Sequence, residues 1–328
     1  MNVEAPLRFL DAYLAPLQEF LAREEVTDLF INQPGEVWVE TLRGGIERHA
    51  LPELDEDSLW RLARQIAGLA NQGINREYPL LAATLPGGAR VQIVAPPATR
   101  SGFAIAIRKH VVPDLTLADY LGDGAFEAVD FARGRPNRPP LAGPSDNSPA
   151  ALAAYLGDLV RARRNVLISG GTSTGKTTFL NALIKEIPSS ERLLLIEDTA
   201  EVMMPVANSV SLLAVKGALG EARVAADDLL QAALRMRPDR IILGEVRGSE
   251  ALTFLRAINT GHPGSLSTIH ADSPAGAIEQ LALIALQSGT RLTRNDIVDY
   301  VTNTIDAIVQ LERRDGQRRI SRIMLTRG

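Results

Sequence analysis

The run Gly170-Gly171-Thr172-Ser173-Thr174-Gly175-Lys176-Thr177-Thr178 joins the apolar stretch Asn165 to Ser169 to the helical stretch Lys176 to Ile187. Few folds accommodate a strand that turns through glycines straight into a helix. Such a turn gathers backbone N–H groups and the positive end of a helix dipole around one point, which is how α/β proteins hold phosphates. The spacing GxxxxGKT assigns Lys176 to the β- and γ-phosphates of ATP and the Thr177 hydroxyl to Mg²⁺. Gly170 through Thr178 form the nucleotide-binding loop. The sequence has four lysines, at 109, 176, 185 and 216, and one stands where a phosphate lysine must.

The flanking pattern supplies the sheet that this turn requires. Short apolar runs at Asn165 to Ser169, Arg192 to Glu197, Ser209 to Val215, Arg240 to Leu243 and Ser265 to Ile269 predict strands. Helical patterns fall between them at Lys176 to Ile187, Ala225 to Met236, Ser249 to Asn259 and Pro274 to Ser288. Strand-helix alternation predicts an α/β domain with a mostly parallel sheet, closed by a hairpin of Ile305 to Leu311 and Arg318 to Leu325, and with the phosphate loop it resembles a RecA-like P-loop domain.

The first third reads differently. Leu7, Leu10, Leu14, Leu17 and Leu21 recur at helical spacing, and Val26 to Asn32 and Val37 to Leu42 flank the turn Gln33-Pro34-Gly35-Glu36. A second helix follows from Asp57 to Asn71, then strands between Pro79 and Lys109. This predicts a smaller α+β domain over residues 1–132. Residues 133–149, RGRPNRPPLAGPSDNSP, hold five prolines and read as a linker to the domain at 150–328.

Composition excludes several chemistries. The 328 residues include no cysteine, which removes disulfides, thiol catalysis and cysteine-ligated zinc. No apolar run approaches the roughly 20 residues that span a bilayer, and the first residues lack the order of a signal peptide. These features predict a soluble cytoplasmic protein whose peripheral membrane location comes through partners. A net charge of −4 argues against direct nucleic-acid binding. Six arginines from Leu311 onward read as the solvated face of a hairpin.

Three further segments end on polar residues where open α/β sheets place their sites, beyond the carboxyl ends of strands. They are Leu193 to Glu201, Ile241 to Gly248 and Thr260 to Ala271. Hydrolysis of a γ-phosphate needs Mg²⁺, a carboxylate for water and cations for the developing charge. Glu245 suits the metal shell, Glu197 the activation of water with Glu201 in support, and His262 and His270 the sensing of the γ-phosphate.

Together the segments GGTSTGKTT, LLLIEDTAEV, IILGEVRG and TGHPGSLSTIHA resemble, in that order, the Walker A, Asp box, Walker B and His box of the type II/IV secretion ATPase superfamily. Ile31 to Glu40 and Leu85 to His110 resemble its VirB-type branch. The resemblance implies a homohexameric ring that hydrolyses ATP with Mg²⁺ to drive pilus assembly and export of protein or DNA by a type IV secretion or conjugation system. It implies inner-membrane partners, including a coupling-protein-like ATPase, at the cytoplasmic face of the inner membrane. It carries over Lys176 and Thr177 on phosphate and Mg²⁺, Glu197 as base, Glu245 at the metal, His270 in coupling, and Arg90 and Arg108 closing over the phosphates.

Two other readings share these residues. A retraction or assembly motor of type IV pili or type II secretion has the same core motifs. A nucleic-acid motor would want a basic groove with stacking aromatics, and a non-hydrolysing docking platform would bind nucleotide without turnover.

Overall fold

A computed structural model describes residues 4–42, 44–109, 143–215, 221–314 and 317–326. Most of the Pro-rich linker, His110, Lys216 and the Asp315-Gly316 turn lie outside the described residues.

Helix α1 (Glu4–Ala22) leads into strands β1 (Val26–Ile31), β2 (Glu36–Thr41) and β3 (Ile46–Ala50), then α2 (Glu56–Leu69) and strands β4 (Leu80–Thr84), β5 (Arg90–Val94) and β6 (Ala104–Arg108). The strands form one antiparallel sheet ordered β3-β2-β1-β6-β5-β4. Asp55 opens α2 by accepting the Ser58 amide at 2.8 Å, a cap that satisfies an otherwise orphaned donor. One sheet face buries Leu29, Ile93 and Ile105 against Leu14 and Leu17 of α1 and Leu59 and Leu62 of α2. The edge strand β3 was not read from the sequence, because Ile46 to Ala50 buries no residue fully.

In the described stretch that starts at residue 143, α3 (Pro149–Arg161) begins where Ser148 Oγ accepts the Ala151 amide at 3.2 Å, with Pro149 in the first turn. There follow β7 (Val166–Gly170), α4 (Lys176–Ile184), β8 (Leu193–Glu197), β9 (Ser209–Leu213), α5 (Ala226–Leu234), β10 (Arg240–Leu243), α6 (Glu250–Asn259), β11 (Leu266–Ile269), α7 (Pro274–Leu286), α8 (Arg294–Thr304), β12 (Ala307–Arg314) and β13 (Gln317–Leu325). The seven strands are ordered β13-β12-β7-β11-β10-β8-β9, parallel except for the terminal β12-β13 hairpin. Strands β7, β8, β10 and β11 are buried along their whole length, as a sheet with helices on both faces requires. Alternation divides them: Leu194, Ile196, Ile241 and Leu243 pack with Leu230, Leu255 and Leu281 on one face. On the other, Leu193, Leu195 and Ile242 pack with Leu159, Leu180 and Ile184.

The second face of the N-terminal sheet is not solvated. Phe30, Val94, Ala104 and Ala106 join the core of the parallel sheet's domain. The guanidinium of Arg192 lies 3.9 Å over the Phe30 ring and donates to Asn32 Oδ1 at 2.8 Å. Burial pulls its pKa down to about 9. A backbone bridge between Thr99 and Leu212 attaches the β5-β6 connection to the edge strand β9.

Candidate active site

The carboxyl ends of β7, β8, β10 and β11 lie side by side, so the segments that follow them converge on one cleft of about 680 Å³. That volume suits a nucleotide-sized ligand.

Its floor is the glycine loop. Gly175 adopts φ +90° as the N-cap of α4 and caps no amide with a side chain, so the first N–H groups of the helix point into the loop. Gly170 is obligatory for a second reason: a Cβ there would stand 2.5 Å from Thr174 Oγ1 and 3.0 Å from the Leu311 carbonyl. The Lys176 ammonium donates to the carbonyls of Gly170 and Gly171 at 2.9 and 3.1 Å, which holds it over the loop. Burial lowers its pKa, and the Glu245 carboxylate works in the opposite direction.

The acids stand around this floor. Glu197 ends β8 with its side chain 4% exposed, and its Oε2 accepts the amides of Glu201 and Val202 at 3.0 and 3.1 Å. Burial pushes its carboxyl up, and those two amides and Arg100 pull it back. Glu201 accepts the Thr177 hydroxyl at 3.2 Å. Glu245 pairs with Arg247, which also approaches Asp198 at 3.5 Å. His270 spans two segments, with Nε2 3.4 Å from the Thr172 hydroxyl and Nδ1 3.9 Å from Glu245.

The structure therefore brings Lys176, Thr177, Glu197, Glu201, Glu245 and His270 to one cleft. His262 is elsewhere. It precedes β11, at the amino end of the parallel strands, and its ring meets the Pro238 carbonyl at 2.9 Å. Arg90 and Arg108 are register partners on β5 and β6, with Arg108 3.7 Å from Asp28, and neither lines the cleft of its own chain. Three arginines at or behind the cleft escaped sequence reasoning, Arg247 and Arg318 in its lining and Arg100 behind Glu197. Arg247 sits two residues beyond Glu245 and could have been found by alternation. Arg318 comes from the hairpin read as solvated, yet its Cδ would be 3.1 Å from a Cβ on Gly175. Arg100 arrives from the N-terminal sheet to pair with Glu197, and no local pattern announces it.

A family model described as type II/IV secretion system protein matches residues 145–319, more than half of the chain. The chain belongs to the type II/IV secretion system protein family. Full-length relatives agree. The type IV secretion system protein VirB11 of Bartonella quintana is 36% identical over 94% of this chain and 91% of its own length. PtlH of Bordetella pertussis, a type IV secretion system protein, is 40% identical over 97% of this chain and 95% of its own. Among solved structures, the VirB11 ATPase of the Brucella suis type IV secretion system, in complex with sulphate, superposes with a TM-score of 0.85 at 33% identity, covering 98% of this chain and 96% of that one. This member of the family is a nucleotide-binding ATPase.

Proposed function

We propose that the chain is a traffic ATPase that works as a homohexameric ring and couples ATP hydrolysis to pilus assembly and to export of protein or DNA by a type IV secretion or conjugation system. The observation that carries this reading is the convergence of the glycine loop with Glu197, Glu201, Glu245 and His270 on one cleft. Whole-length similarity to type IV secretion proteins favours it over a pilus retraction motor. Those carboxylates weigh against a platform that only binds nucleotide.

In this reading the loop amides, the α4 N-terminus and Lys176 hold the β- and γ-phosphates. Water attacks the γ-phosphorus, the bond to the β-phosphate oxygen breaks, and Glu197 takes the water's proton. Glu201 supports the loop that carries Glu197, and His270 relates the γ-phosphate end of the cleft to Glu245. The donor set suits Mg²⁺, since the Thr177 hydroxyl and the Glu245 carboxylate are hard oxygens and phosphates complete the shell. Mg²⁺, when bound there, would neutralise charge on the β- and γ-phosphates.

The division into residues 1–132, a linker at 133–149 and an ATPase domain at 150–328 belongs to the same proposal. Arg90 and Arg108, exposed at adjacent strand ends, are assigned to closing over phosphates once the ring assembles. No helix among the described residues is long and apolar enough to cross a membrane. A peripheral position at the cytoplasmic face of the inner membrane then comes from contacts with inner-membrane components, a coupling-protein-like ATPase among them. A net charge of −4 and 15 aromatic residues argue against a nucleic-acid motor.

Lys176→Ala tests the site: ATP turnover should vanish while the unfolding midpoint holds. Retained hydrolysis would remove the assignment. Native mass measurement with and without nucleotide tests the ring, and a strictly monomeric active enzyme would contradict it.

A further inference from the structure

Arg100 stands on the connection between β5 and β6, outside every motif of the ATPase domain. Its backbone is fixed from both sides. The Arg100 amide donates to the Ser211 carbonyl at 3.1 Å, and the Leu213 amide donates to the Ala98 carbonyl at 2.9 Å. These bonds extend the edge of the parallel sheet by one bridge, Thr99 opposite Leu212. Strand β9 lies next to β8 with Leu213 in register with Glu197, so a side chain leaving Arg100 has one strand to cross before it meets the end of β8.

The guanidinium uses that reach as a fork. Nη1 donates to the Val202 carbonyl at 2.8 Å, and Nη2 makes an ion pair with Glu197 Oε1. Arg100 therefore grips residues 197–202 at both ends, while the Glu201 and Val202 amides hold Glu197 Oε2. Within that grip Glu201 reaches the Thr177 hydroxyl. A carboxylate as buried as Glu197 needs a cation or several donors to remain charged, and the only cation paired with it among the described residues is Arg100.

We propose that Arg100 is a positioning residue for ATP hydrolysis: by bridging Glu197 and Val202 it holds the loop 197–202 in its working geometry and makes the N-terminal sheet part of the active site. This rests on the reading of Glu197 as the water-activating carboxylate. Arg100 is absent from the cleft lining, so its effect falls on the chemical step rather than on nucleotide binding. The guanidinium meets both acceptors with a fixed, charged fork; lysine keeps the charge that balances Glu197 without the planar geometry, and glutamine loses the charge.

The test compares full-length wild type with Arg100→Ala, Arg100→Lys, Arg100→Gln and Glu197→Gln. The readouts are steady-state ATP hydrolysis and hydrogen exchange at the Glu201 and Val202 amides. For Arg100→Ala we expect kcat about 10- to 100-fold lower, a part of what a general base supplies, with KM for ATP within about twofold. Exchange at both amides should accelerate, and Arg100→Lys should recover more turnover than Arg100→Gln. If Arg100→Ala does not fold, the order of the lysine and glutamine variants decides. An unchanged or higher kcat overturns the proposal, as does a raised KM at constant kcat, which would put Arg100 on the nucleotide. Wild-type turnover by Glu197→Gln would instead sink the reading of Glu197; loss there with normal Arg100 variants sinks this proposal alone.

Discussion

The hydroxyl of Thr177 donates to a carboxylate oxygen of Glu201 at 3.2 Å, which ties the first turn of α4 to the loop after β8. In the proposed function the same hydroxyl oxygen would hold Mg²⁺, and a hydroxyl that donates its proton to Glu201 keeps its lone pairs for the cation. Removing the hydroxyl should erase the metal's contribution to nucleotide affinity. In Thr177→Ala, calorimetric titration with ADP should give nearly equal affinities with and without Mg²⁺, whereas Thr177→Ser should keep the wild-type difference. Equal metal dependence in wild type and Thr177→Ala would move the metal to other donors.

Glu197 titrates above the ordinary glutamate value because burial disfavours its charge. The sign for stability follows. The folded chain keeps this proton to higher pH than the unfolded chain, so the residue's contribution to stability declines as pH rises through the window between the two values. In the proposed role of Glu197 as base, activity runs the opposite way, because a base must be ionised. The acid limb of kcat should therefore lie above the ordinary glutamate value of about 4.3. Glu197→Gln should lose turnover at every pH. A limb at or below the ordinary value would show that Glu197 is not the group being titrated.

How much of this was legible in the sequence depended on range. Gly170 to Thr178 carries its own strand, turn and helix start, and the apolar runs ending at Glu197 and Glu245 announce buried parallel strands. The site's convergence followed from sheet topology alone. What escaped was long-range or weakly patterned. Helix α8 carried a capping box, Thr293 with Asp296, that was present to be read. Arg100 and Arg318 are close to Glu197 and Gly175 only because of tertiary packing, and no periodicity encodes such a meeting. His262 shows the reverse error: proximity in the motif to His270 suggests a shared task, but four-residue β11 lies between them and places them at opposite ends of the parallel strands.

That separation makes the two histidines distinguishable. His270 touches Thr172 and approaches Glu245, whereas the His262 ring meets the Pro238 carbonyl, with burial lowering its pKa. His270→Ala should lower kcat at least about tenfold. His262→Ala should leave kcat per folded molecule unchanged and lower the unfolding midpoint by about 1 kcal/mol equivalent, the usual worth of one hydrogen bond. Parallel turnover and thermal unfolding assays separate the two outcomes, and a kcat defect in His262→Ala would contradict its placement.

The glycines of the loop should differ in the same way. A Cβ on Gly170 would collide with Thr174 Oγ1 and with the Leu311 backbone carbonyl, and Thr174 is itself bonded to the Gly171 carbonyl at 2.9 Å. Nothing there yields cheaply. A Cβ on Gly171 meets nothing closer than 3.8 Å. Gly170→Ala should weaken nucleotide binding by at least about tenfold and lower stability by about 1–3 kcal/mol, the cost of overpacking. Gly171→Ala should keep the wild-type unfolding midpoint. Equal midpoints for the two variants would mean that the loop relaxes around Gly170.

Arg240 begins the strand that ends beside Glu245, and it is completely buried. Its Nε and Nη2 bind the two oxygens of Glu191 at 2.6 and 2.8 Å, and Nη1 donates to the Val160 carbonyl at 2.6 Å. Gly264, at φ +85°, leaves the space this guanidinium fills, since a Cβ there would stand 2.7 Å from Nη1. One side chain thus joins α3, β10 and the approach to β11 at the amino end of the parallel strands, opposite the cleft. Truncation leaves Glu191 buried with Arg163 as its remaining cationic contact, 3.3 Å away on an exposed side chain. Arg240→Ala should cost about 3–5 kcal/mol, the range for breaking one partner of a buried pair. Arg240→Lys, which keeps the charge without the fork, should fall between it and wild type. Urea unfolding would read this as a lower midpoint at constant slope. Nucleotide affinity measured without denaturant should stay near wild type, because the pair sits at the far end of β10; a large affinity loss in a folded Arg240→Ala would show that the strand transmits the edge contact to Glu245.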